Sequence, residues 1–227
     1  MENRELVAAI RTALADRADP VRAAGMQAYM KSSILSLGVR VPEVRRCVLA
    51  AAAAAPVQTP DELRATVLVL WREARWREER YAAIELTALR LVARDAGMLP
   101  VYEEIVRTGA WWDFVDGVGP RICGLLLAHR SLMTPVLLEW SRDADLWIRR
   151  AAITSQLKAK AATDTDLLGA VIEASLDDPE FFIRKAIGWA LREFAKTNPG
   201  WVKDFVAQHA RQLSPLSRKE ALRHVEP

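Results

Sequence analysis

The sequence predicts an all-α fold, an α-solenoid of paired helices, on three observations. Nearly every segment carries apolar residues at the helical period, strand-like alternation is hard to find, and one short motif recurs in register. The motif is aliphatic, basic, basic, small, then small or aliphatic, as in Val44-Arg45-Arg46-Cys47-Val48, Ile148-Arg149-Arg150-Ala151-Ala152 and Ile183-Arg184-Lys185-Ala186-Ile187. Arg149 and Arg184 are 35 residues apart, and Arg45 and Arg149 are 104 apart, close to three such steps. Arg80 falls one step after Arg45, and the next step lands at Val115. Two short helices cannot bury their own apolar faces, so such repeats stack on their neighbours, and HEAT-like repeats are the expected type. One repeat domain over residues 1–227 follows.

The elements come in order. Leu6, Ile10, Ala13 and Leu14 form one helical stripe, and Val44, Val48, Ala51 and Ala52 another, with Pro56 and Pro60 as punctuation. Leu63, Val67 and Leu70 mark a helix over 61–71, and Ile84, Leu86, Leu89 and Leu91 one over 81–92. Beyond Gly97 and Pro100 the pattern predicts a short helix at 101–106, then a segment over 111–129 that Gly119-Pro120 either restarts or kinks. Helices over 132–140, 146–157, 164–176, 181–194, 201–213 and 215–224 complete about a dozen.

Apolar residues at 51% and charged residues at 27% are ordinary for a globular chain, and a formal charge of +3 means that any basic surface must come from clustering. Two cysteines, Cys47 and Cys123, sit among apolar neighbours and read as buried, reduced thiols. His129, His209 and His224 have no metal-ligand spacing and read as surface residues; neither metal nor cofactor is expected. Met1-Glu2-Asn3-Arg4-Glu5 lacks the basic and apolar regions of a leader, and no apolar run approaches the roughly 18 residues of a membrane span. The expected location is cytoplasmic, with no membrane association.

The register sets out a candidate surface. Arg45 and Arg46, Arg149 and Arg150, and Arg184 with Lys185 and Trp189 are expected on neighbouring helices of one concave face, and Lys158, Lys160, Arg192, Lys196, Lys203, Arg218 and Lys219 add charge towards the C-terminal end. Arginine forks onto phosphate, so a nucleic-acid backbone fits such a face. The station at Val115 breaks the pattern with Trp111-Trp112-Asp113-Phe114-Val115-Asp116. Trp112 and Asp116, four apart on a helix, share a face, and an indole beside a carboxylate receives a cation. Two cations suit a phosphate-binding face: a ring-alkylated base, and the oxocarbenium-like sugar formed as its glycosidic bond breaks. Asp113, early in its helix, reads as a dipole-complementing acid, Trp111, Trp147, Trp71, Trp76 and Trp140 as packing, and Asp116 paired with Arg149 or Arg150 as the structural alternative.

Beyond these features the chain resembles the AlkD-type DNA alkylation repair enzymes over nearly its whole length. The resemblance lies in Gln27-Ala28-Tyr29-Met30-Lys31 with Leu37-Gly38-Val39-Arg40-Val41-Pro42-Glu43, in Trp111 to Asp116, in Leu146 to Ile153, in Phe181 to Glu193, and in Leu213 to Glu220. It implies a monofunctional DNA glycosylase that excises N3- or N7-alkylated purines from duplex DNA, acting as a monomer with water as nucleophile. Asp116 would be the catalytic carboxylate, Trp112 and Trp189 would frame the damaged nucleotide, Arg150 would hold a phosphate and Tyr29 would flank the lesion. Arg40 stands where the family often has a polar amide, a departure that bears on contacts to the opposite strand. The alternative is a non-catalytic HEAT-like binder of distorted or branched DNA.

Overall fold

The computed structural model describes residues 1–223 and 225, and among them every regular element is a helix. The chain divides into two compact units, residues 1–101 and 102–227.

In the first unit, α1 (Arg4–Ala15), α3 (Val41–Ala54), α4 (Pro60–Arg72) and α5 (Arg77–Leu86) pack on one another through the predicted stripes, Leu6, Ile10, Val44, Leu63 and Leu70 being almost wholly buried. Each such side chain stabilises the unit by roughly 1.5–3 kcal/mol. The helix expected over 81–92 instead begins at Arg77, stops at Leu86 and gives way to a separate 3₁₀ turn at Arg90–Val92. The apolar residues Leu89 and Leu91, read as its continuation, belong to that irregular stretch.

The helix α2 (Pro20–Met30) has no buried residue, so packing does not hold it in place. Its termini do. Asp19 accepts from Arg22 N at 3.0 Å with Pro20 at the first helical position, and Asp19 N donates to Leu37 O at 2.8 Å. The loop that Asp19 meets is wrapped around one acid. The wholly buried Glu78 accepts from Ser36 Oγ (2.6 Å) and from the backbone N–H groups of Leu37 (2.8 Å), Gly38 (2.9 Å) and Val39 (3.2 Å). Gly38 is required there: its φ is +81°, and a Cβ would lie 2.2 Å from Asp19 O. Leu37-Gly38-Val39 is thus a cradle that fixes the approach to Arg40 and the start of α2.

The segment α6 (Leu99–Gly109) leads into the second unit. There α7 (Trp112–Ala128), α9 (Leu146–Thr154), α11 (Phe181–Ala195) and α13 (Pro215–Ala221) stack in succession, with α8 (Arg130–Trp140) and α10 (Thr165–Glu173) packed on each other as a second layer and α12 (Pro199–Gln208) against α11. This is the solenoid arrangement expected from the register: Arg150, Lys185 and Glu220, one per stacked helix, recur at the repeat step, and Lys185 Nζ donates to Glu220 Oε1 at 3.2 Å. The core of the C-terminal repeats is aliphatic, with Ile153, Leu168, Ile172, Ile183, Ile187, Leu191 and Val202 buried. Cys47 and Cys123 are buried and free, as expected.

The tightest helix contact is between α11 and α13. A Cβ on Gly188 would lie 2.6 Å from Glu220 Cβ and 3.1 Å from Ser217 O. A mid-helix glycine costs helical stability, here offset by close approach. Gly188→Ala is therefore expected to destabilise the protein by about 1–3 kcal/mol, read as a lower urea midpoint, because α13 must shift outwards. An unchanged midpoint would mean that α13 docks loosely.

Candidate active site

The stretch that opens the site is shaped by three aromatic rings. Ala110, at φ +43°, turns the chain out of α6, and Trp111 stands at the N-cap position of α7 without a side-chain capping bond. The Trp111 ring lies 5.9 Å from Trp147 and 5.7 Å from Phe182, and Trp147 lies 5.0 Å from Phe182. These rings fasten the N-terminal ends of α7, α9 and α11 together, the packing role expected of Trp111 and Trp147. Asp113 lies in the first turn of α7, where an acid complements the helix dipole.

One turn further on, Asp116 points into the stack, its side chain only 16% exposed. Pro120, inside the unbroken helix, offers no N–H to the Asp116 carbonyl. From α9, Arg150 forks onto the carboxylate: Nε donates to Oδ1 at 2.9 Å and Nη2 to Oδ2 at 2.8 Å. Its Nη1 donates to Phe182 O at 2.7 Å, so three of the five guanidinium N–H groups are used. The Trp189 ring on α11 lies 6.0 Å from Arg150 Cζ, within cation–π range. Burial pushes the Asp116 carboxyl above its usual range, and the Arg150 hydrogen bonds and charge only partly oppose this. The sequence left Arg149 and Arg150 equally open as partners of Asp116; the structure selects Arg150.

Beside Asp116 runs a cleft of about 60 Å³ lined by Asp116, Gly119 and Pro120 of α7, Thr154, Leu157 and Lys158, and Trp189 and Glu193 of α11. Gly119 is buried, yet a Cβ there would meet nothing within 4 Å, so the missing side chain leaves the cleft open. Glu193 was missed in the sequence. Its signal was present: Trp189 and Glu193 repeat on α11 the indole and acid spacing of Trp112 and Asp116 on α7.

The other expected residues divide. Lys158 lines the cleft and is exposed. Arg149 is turned away from Asp116: it donates to Asp178 (Nε, 3.0 Å) and to the carbonyls of Asp143 and Ala144 at 2.7 and 2.9 Å, joining α9 to the loop before α11. Arg184 is half-buried, Lys185 is held by Glu220, and Arg218 is exposed on α13. In the first unit Tyr29 (73% exposed), Arg40, Arg45 and Arg46 are all at the surface, Arg45 lying 3.8 Å from Glu85. His209 is more enclosed than expected, 11% exposed with Nε2 3.2 Å from Glu173, and His224 lies outside the described residues. Among the described residues no group of three or more His, Cys, Asp or Glu side chains is placed to hold a metal. No helix among them is long and apolar enough to cross a membrane.

Stacked helices that hold a half-buried, arginine-bound carboxylate and an indole along one cleft define the class: an α-solenoid. The chain belongs to the family described as "DNA alkylation repair enzyme", whose pattern it matches over residues 10–225. It is also similar to a solved structure described as a predicted DNA alkylation repair enzyme from Enterococcus faecalis, with 29% identity, a TM-score of 0.83, and coverage of 92% of this chain and 96% of that one. Among curated proteins none matches.

Proposed function

We propose that the protein is a monofunctional DNA glycosylase that hydrolyses the N-glycosidic bond of cationic N3- or N7-alkylated purines in duplex DNA. The observation that carries this reading is the half-buried Asp116 carboxylate, bonded at both oxygens by Arg150, with Trp189 along the same cleft. A ring-alkylated purine already carries positive charge, so its departure needs little acid catalysis. As the C1′–N bond breaks, the base keeps the electron pair and becomes neutral, and positive charge moves onto the sugar. A preorganised anion and indole faces stabilise that charge, and water then forms the new C1′–O bond and loses its proton.

In this reading Asp116 faces the sugar cation, Trp112 and Trp189 frame the nucleotide, and Arg150 positions Asp116 and is the proposed holder of a nearby phosphate. Tyr29, Arg40, Arg45, Arg46, Arg149, Arg184, Lys185, Lys158 and Arg218 are the proposed DNA contacts. Arg149, already paired with Asp178, contributes least among them. The protein acts on DNA as a monomer.

The second reading, a non-catalytic binder of distorted DNA, is favoured by one feature: both Asp116 oxygens are already satisfied by Arg150, as in a structural bridge. One assay separates them. Duplex DNA containing 7-methylguanine or 3-methyladenine, incubated with the protein and a chelator, is expected to release the free base. Salt-sensitive binding to junctions with no base released would leave the second reading standing.

A further inference from the structure

The cleft beside Asp116 holds a second acid. Resting on the glycosylase reading, we propose that Glu193 is the base that takes the proton from the attacking water, while Asp116, fixed by Arg150, stabilises the developing sugar cation. Three observations support this division. The cleft of about 60 Å³ has room for ordered water, which needs only roughly 10–15 Å³ of such space. It is lined by charged residues that can hold water, Asp116, Lys158 and Glu193. Gly119, with nothing within 4 Å of a built Cβ, keeps the space free.

The two carboxylates differ in what protonation would do. Asp116 must keep its charge as the cation forms, and a proton arriving there would remove that charge and strand Arg150, whose side chain is only 6% exposed. Glu193 accepts from Lys196 Nζ at 2.7 Å, and that lysine is 55% exposed, so water solvates its ammonium when the glutamate is neutralised. Two carboxylates in different environments thus take different roles. In the balanced step, water oxygen bonds to C1′, the base departs with the C1′–N electron pair, and the water proton passes to Glu193 and on to solvent.

The test uses the full chain and 7-methylguanine duplex DNA under single-turnover conditions. Glu193→Ala is expected to lower the rate of base release by roughly 100-fold, with unchanged affinity for DNA carrying a tetrahydrofuran abasic analogue. Sodium azide, an anionic nucleophile that has no proton to lose, should restore the rate in Glu193→Ala and yield the 1′-azide, but should not rescue Asp116→Asn. Glu193→Gln, nearly isosteric, should be slow as well and guards against misfolding of the alanine variant. A Glu193→Ala rate equal to wild type, or a slow rate that azide leaves unchanged, would overturn the role of Glu193. Failure of the wild type to release base would instead sink the glycosylase reading itself.

Discussion

Asp116→Asn is expected to slow release of 7-methylguanine from duplex DNA by about a thousandfold, equivalent to about 4 kcal/mol of lost transition-state stabilisation. The amide keeps the shape of the side chain but not its charge. It also replaces one of the two acceptors of Arg150 by a donor, so that fork loses one bond. Affinity for DNA should stay near wild type, because a negative charge contributes nothing favourable to binding phosphate. The wild-type rate should fall on acidification at a pH above the ordinary carboxylate range, since burial raises the proton affinity of Asp116.

The sign for stability follows from the same shift. A folded pKa above the unfolded one means that the folded chain holds the proton more tightly. The stability from Asp116 is therefore complete below its unfolded pKa and is lost as pH rises through the raised value. At neutral pH the site keeps its charge at a cost to folding, a strain found where function demands it. Equal rates for Asp116→Asn and wild type would end the catalytic role of this residue.

Glu78→Gln is expected to cost the first unit about 2–5 kcal/mol, a large fraction of the 5–15 kcal/mol of a typical domain. Glu78 is wholly buried and accepts four hydrogen bonds, three of them from consecutive backbone N–H groups. An amide nitrogen in place of Oε2 meets the Leu37 N–H, and in place of Oε1 those of Gly38 and Val39, so at least one buried donor is left unsatisfied at about 1–3 kcal/mol. Urea denaturation should show the loss. Because this cradle fixes the approach to Arg40 and the start of α2, the surviving folded variant should also bind DNA more weakly if Tyr29 and Arg40 are contacts. A midpoint within error of wild type would show that the loop holds itself.

Much of this could be read in the sequence for definite reasons. Leu6, Ile10 and Leu14, or Ile183, Ile187 and Leu191, mark buried faces because a helix repeats every 3.6 residues and burial must follow one side. The start at Pro215 lies where the pattern placed it, whereas α4 and α12 begin at Pro60 and Pro199, just ahead of the expected 61 and 201, because Thr59 and Asn198 cap them. The end of α5 was not legible, because Leu89 and Leu91 extend the apolar pattern without extending the helix. The helix α2 could not be found from periodicity either, since it buries nothing and is fixed by a loop bonded to an acid some forty residues away.

The sequence by itself determined that the chain is helical, that its repeats step by about 35 residues, and that Trp112 and Asp116 share one helix face. Those are properties of single helices and of their spacing. Only the tertiary structure decided that Arg150 meets Asp116 while Arg149 turns to Asp178, and that Glu193 joins Asp116 in one cleft. Adjacent residues on a helix point about 100° apart, so the choice between the two arginines depends on how α9 is rotated against α7 and α11. That rotation is set by the packing of Ile148, Ala151 and Ala152 and by the Trp111, Trp147 and Phe182 rings, which no local pattern encodes.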